Sequence, residues 1–132
     1  MAFLTGLNAI AFLLGRLLFG GTLAYLALDN LLNMEESIAY AESKGAPLAS
    51  ITVPATSGLV VLGSLFLILG IAPLIGSIFI LVFLLPVTPI MHDFRGDADE
   101  SQLIHFMKNA GLVGGALVFA SLADFIWPYA LG

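Results

Sequence analysis

The chain has 132 residues, 60% of them hydrophobic and only 10% charged, with a net charge of −5 and no cysteine. A soluble domain this small could not cover so much apolar surface with so few polar groups, so the composition requires a lipid environment. The same numbers exclude disulfides, thiol chemistry and thiolate metal sites, and four Lys+Arg residues are too few for a nucleic-acid-binding surface.

The first apolar stretch runs over 7–32 and is interrupted only by Arg16 and Asp29. No basic residue precedes it, so residues 1–15 read as the start of a long tilted helix or an interfacial lead-in, not as a secretory signal. In the segment Met34–Ser50, Glu35, Glu36, Glu42 and Lys44 alternate with Ile38, Tyr40, Ala41 and Leu48. This pattern predicts an amphipathic helix ended by Gly45 and Pro47, lying as a lid over a polar pocket. From Ile51 to Met91 there are 41 residues without a charge. As one helix they would span roughly 60 Å, twice the bilayer core, so the segment must fold back on itself. Gly70-Ile71-Ala72-Pro73 is the natural break, with Gly ending one helix and Pro beginning the next. Pro86 and Pro89 are expected to kink or end the second of these helices just before His92. The last apolar stretch covers 102–127, and Trp127 and Tyr129 fit an interfacial aromatic belt.

The predicted architecture is a single all-α domain over 1–132: a four-helix transmembrane bundle (7–32, 52–71, 73–91, 102–127) with an amphipathic loop helix between the first and second spans. The segments Met34–Ser50 and His92–Ser101 carry the whole net charge, while Arg16, Asp29, Lys108 and Asp124 lie inside apolar stretches and cancel. An uncompensated charge inside a span costs about 2.5–3.5 kcal/mol on insertion scales. Two pairs between the first and last helices are therefore expected, Asp29–Lys108 and Arg16–Asp124. Four spans put both termini on one face and both acidic loops on the other. Acidic loops also suit a high-salt organism, where carboxylates keep surfaces hydrated.

The chemistry-bearing residues gather on the acidic-loop side. Gln102, His105 and Asn109 are three and four residues apart and share one helix face, with Lys108 beside it. His92 closes the third span at the same level. One reading is a polar pocket for a small-molecule head group, with quinone the leading candidate: these side chains offer donors for two carbonyls and a titratable group for a coupled proton. The competing reading has Lys108 and the histidines snorkelling to the interface, Asp29 neutralising Lys108, and no ligand. Two histidines and one aspartate are too common a set to read as metal ligands, so no metal is expected. Gly111 with Gly115, and Gly20 with Ala24, place small residues where helices can approach closely, within the chain or against another subunit.

Taken in order, several segments resemble the DoxX family of small four-helix membrane proteins. They are Arg16-Leu-Leu-Phe-Gly-Gly, the loop Ala39 to Pro47, Ser57-Gly58 to Gly63 running into Leu69-Gly70, His92-Asp93-Phe94, and Gln102 to Asn109 followed by Gly114-Gly115. The resemblance covers essentially the whole chain, and the Gln102–Asn109 block is its most specific part. It differs at Ser57, where many members of that family place a Glu. The resemblance implies a four-helix bundle and a link to membrane redox physiology, because relatives include a thiosulfate:quinone oxidoreductase subunit. It also favours cytoplasmic termini, since members often begin with basic residues. The expected function is an accessory or quinone-associated subunit of a membrane redox system, multi-pass in the cytoplasmic membrane of an archaeon or bacterium. Its expected partners are lipid and either redox-complex subunits or further copies of itself. The alternatives are a stand-alone quinone-dependent oxidoreductase using His105 and Lys108, and a structural membrane partner without a ligand. Whether the chain is an enzyme stays open between them.

Overall fold

The computed structural model describes residues 5–91 and 100–132. It contains α1 (Gly6–Leu32), α2 (Met34–Ser43), α3 (Ala49–Leu69), α4 (Pro73–Met91) and α5 (Glu100–Ser121). Four of these, α1, α3, α4 and α5, are long and apolar enough to cross a membrane. The chain is a multi-pass membrane protein. α1 packs on α3, α3 on α4, and α4 on α5, as in an up-down bundle. A core of Leu23, Ala27, Val60, Leu67, Ile80, Leu84, Ala116, Phe119 and Trp127 joins them.

The expected break forms as its residue types dictate. Gly70 adopts φ 71°, a left-handed conformation that costs glycine nothing, and the amides of Gly70 and Ile71 both return to the carbonyl of Phe66. Pro73 then opens α4, where its missing N–H has no helical partner to lose. Gly45, at φ 82°, follows the end of α2 in the same way. The amphipathic loop helix therefore lies where its pattern places it.

α3 begins at Ala49 rather than at 52, with Pro54 accommodated in its second turn. α4 covers the expected 73–91, with Pro86 and Pro89 inside its last turns. α5 stops at Ser121, short of the expected 127, because the chain turns and runs back under the bundle. There Trp127 donates from Nε1 to the carbonyl of Leu122 at 2.9 Å, and the amide of Leu131 donates to Leu69 at 2.9 Å. Trp127 is thus 7% exposed and belongs to the core, not to an interfacial belt.

Close approach of α3 and α4 depends on two glycines. A Cβ on Gly63 would stand 2.6 Å from the carbonyl oxygen of Gly76, and one on Gly76 would stand 2.8 Å from that of Gly63. Of the small pairs, Gly20 meets Ile68 of α3 and Gly115 meets the Phe19 ring of α1, whereas Gly111 faces open space. Gly63→Ala should therefore destabilise by about 1–3 kcal/mol, because backbone has to move. Gly111→Ala should be neutral or stabilising by up to about 1 kcal/mol, through helix propensity alone. Thermal unfolding of the two variants in detergent checks the contrast.

The topology makes a second expectation testable. Cysteines introduced at Ser43 and Tyr129 should react with an impermeant maleimide from opposite sides of the membrane. Labelling of both from one side would break the four-span arrangement.

Candidate functional site: a cavity beneath the short helix

On the terminal side, Arg16 is fully buried and surrounded by acceptors. It donates from Nε to Leu67 O (2.9 Å), from Nη2 to Ile68 O (2.8 Å) and Tyr129 O (3.1 Å), and from Nη1 to Pro128 O (2.6 Å). Its cationic plane also stands 5.7 Å from the Phe12 ring centroid and 5.3 Å from that of Trp127. A helix leaves its last four carbonyls without internal partners, and no water serves them inside a bilayer. All four in α3 are satisfied here: Phe66 by Gly70 and Ile71, Leu67 and Ile68 by Arg16, Leu69 by Leu131. The guanidinium therefore caps a helix and fastens the C-terminal segment. This replaces the expected pairing with Asp124, which is exposed.

The other expected pair is also arranged differently. Asp29 Oδ1 accepts from Asn33 Nδ2 at 3.0 Å across the α1–α2 junction, and Lys108 is exposed on α5. In a double-mutant cycle, Asp29→Asn and Lys108→Met should consequently combine additively in thermal stability. A coupling above about 0.5 kcal/mol would show that the two residues meet.

On the acidic-loop side, a cavity of about 710 Å³ opens between the end of α1, α2, the first half of α3 and the last turns of α4. Its walls are apolar on the α4 side, through Phe83, Pro86, Val87 and Ile90, and polar near α1 and α2, through Asn30, Asn33, Ser37 and Tyr40. α2 lies along it and supplies Glu36, Ser37, Tyr40 and Ala41 to its lining. Most of the hydroxyls are occupied locally: Thr56 Oγ1 donates to Thr52 O at 2.5 Å, Thr52 Oγ1 to Leu48 O at 3.1 Å, and Ser37 Oγ to Asn30 Oδ1 at 3.3 Å. Ser57 is the exception. It is 1% exposed, lines the cavity roughly two turns in from the start of α3, and its Oγ has no hydrogen-bond partner. Ser64 and Ser77 are buried hydroxyls without partners too, but neither lines the cavity. Leaving a buried hydroxyl unpaired costs about 1–3 kcal/mol.

Of the residues singled out in the sequence, Asp29 lines this cavity. Gln102 and Asn109 are half-buried on α5, His105 and Lys108 are exposed, and none of the four lines the cavity. His92 lies outside the described residues. The pocket is on the expected side of the membrane but is built by α1 to α4. The signal that could have found it is the run Thr52, Thr56, Ser57: hydroxyls at helical spacing on one face of α3, opposite the amphipathic helix.

The DoxX family's sequence profile matches residues 11–93, more than half of the chain. The chain belongs to the DoxX family. The match takes in most of α1 and all of α2 to α4, and with them every described residue that lines the cavity, but stops before the Gln102–Asn109 block that carried much of the resemblance. No curated protein sequence and no solved structure matches the chain.

Proposed function

We propose that this DoxX protein is a quinone-associated accessory subunit of a membrane redox system, seated in the cytoplasmic membrane of a prokaryote living at high salt. Its head-group site is the cavity beneath α2. The observation that carries the reading is a cavity of about 710 Å³, apolar on its α4 side and polar near α1 and α2, whose size suits one amphiphilic molecule. A quinone ring carries a carbonyl at each end. Asn30, Asn33 and Tyr40, which line the cavity, offer donors for them. The apolar α4 wall would take the ring faces and the start of an isoprenoid tail. An accessory role is favoured over a stand-alone oxidoreductase because His105 and Lys108, the groups expected to move protons, lie off the cavity.

Native mass spectrometry of the gently solubilised protein tests this. The expected spectrum shows a bound prenylquinone, or a complex with redox subunits that retains one, and Ser57→Phe removes the quinone. Recovery of the wild-type chain with neither, after incubation with a short-chain quinone, would contradict the reading.

A further inference from the structure

The polar groups around the cavity differ in what they can still offer an occupant. Thr52 and Thr56 line the α3 wall, and each holds its proton on the backbone. Thr52 Oγ1 donates to Leu48 O (3.1 Å), with Pro47 O at 3.2 Å, and Thr56 Oγ1 donates to Thr52 O (2.5 Å). Ser37 likewise commits its proton to Asn30 Oδ1. A hydroxyl that has donated keeps its lone pairs, so all three face an occupant as acceptors. Ser57 adds nothing, because its Oγ is closed off. The carboxylates of Asp29 and Glu36 accept and do not donate. On the α4 wall, Pro86 has no N–H and leaves the carbonyl of Val82 without its usual helical bond. Donors are confined to the α1–α2 end, at Asn30, Asn33 and Tyr40, and Asn33 already donates to Asp29. The lining thus holds more acceptors than donors, and its α3 and α4 walls hold acceptors alone.

We infer that the cavity prefers the reduced form of its amphiphile, a quinol, to the quinone. The inference rests on the cavity being the quinone site proposed above, and adds which redox form it takes. A quinone presents two carbonyl acceptors. One finds donors at the α1–α2 end, while the other meets only lone pairs along α3 and α4. An acceptor set against acceptors loses its water without gaining a bond. A quinol carries the same oxygens on the same ring, each with a proton. One hydroxyl donates to Thr52 or Thr56, and the other accepts from Asn30 or Tyr40. The apolar wall of Phe83, Val87 and Ile90 meets the same tail in both forms and does not discriminate between them. By linkage, tighter binding of the quinol makes the bound couple easier to reduce than the couple free in the bilayer.

The test uses the full-length protein in a polyoxyethylene detergent, whose head group carries ether oxygens in place of sugar hydroxyls. Three probes are titrated calorimetrically: a short-chain ubiquinone, its quinol kept reduced under argon, and the dimethyl ether of that quinol. The ether keeps both oxygens but has no proton to donate. The quinol should bind about three- to tenfold more tightly than the quinone, the effect of one hydrogen bond. The ether should bind no better than the quinone. In the double variant Thr52→Val, Thr56→Val the ratio should fall to within about twofold, with the quinone affinity retained. The unfolding temperature shows that the variant is folded. A quinone bound as tightly as the quinol, an ether that binds like the quinol, or a ratio that the double variant leaves intact would overturn the preference. Each of those results leaves the quinone reading standing. Binding of none of the three probes would overturn both.

Discussion

Replacing Arg16 by leucine should lower stability by roughly 3–5 kcal/mol, seen as a fall on the order of 10 °C in the unfolding temperature in detergent. The loss has a definite origin. Without the guanidinium, the carbonyls of Leu67 and Ile68 at the end of α3 and of Pro128 and Tyr129 in the C-terminal segment lose their donor together. Each buried carbonyl left without a partner costs about 1–3 kcal/mol, and the rings of Phe12 and Trp127 lose the cation between them. Arg16→Lys should fall between leucine and wild type, because an ammonium keeps the charge but cannot spread donors over four acceptors in a plane. Asp124→Asn should change stability by less than about 0.5 kcal/mol, as expected of an exposed group away from such networks. If Asp124→Asn costs as much as Arg16→Leu, the guanidinium depends on the carboxylate after all.

Ser57 separates stability from binding. In the empty protein Ser57→Ala removes an unpartnered hydroxyl, so it should stabilise by up to about 1–3 kcal/mol. The same change should leave the affinity for a short-chain quinone essentially unchanged, because that hydroxyl is closed off from the cavity. Ser57→Phe places a ring inside the cavity and should abolish binding, with at least a tenfold loss. Thermal unfolding and calorimetric titration of the two variants check both effects. A clear loss of affinity in Ser57→Ala would show that its hydroxyl reaches the ligand after all.

The spans, the break and the loop helix were legible because each depends on local residue types. A glycine able to take a positive φ stands at Gly70 and a proline able to start a helix at Pro73, and the charge alternation around Tyr40 needs no tertiary information. The pairing of the buried charges was not legible. Matching cations to anions along the sequence overlooks main-chain carbonyls, and the partners of Arg16 are carbonyls brought to it by the end of one helix and a returning tail. The same tail explains why 122–127 is not helical: once Trp127 and Leu131 bond back to Leu122 and Leu69, continuing α5 would forfeit those contacts. The cavity was not legible for a related reason. Histidine and lysine on α5 draw attention as chemical groups, but which helix faces the amphipathic lid is decided by packing, and α5 packs chiefly on α4.

Photoaffinity labelling addresses the central claim, that the ligand site is the cavity beneath α2. The purified protein would be irradiated with a short-chain azidoquinone, with and without excess unlabelled quinone, and the adducts mapped by peptide mass spectrometry. The account predicts competed adducts on the α1–α2 junction, on 52–57 and on 83–91, the segments that line the cavity. Competed adducts confined to 102–109, the polar face of α5, would contradict it.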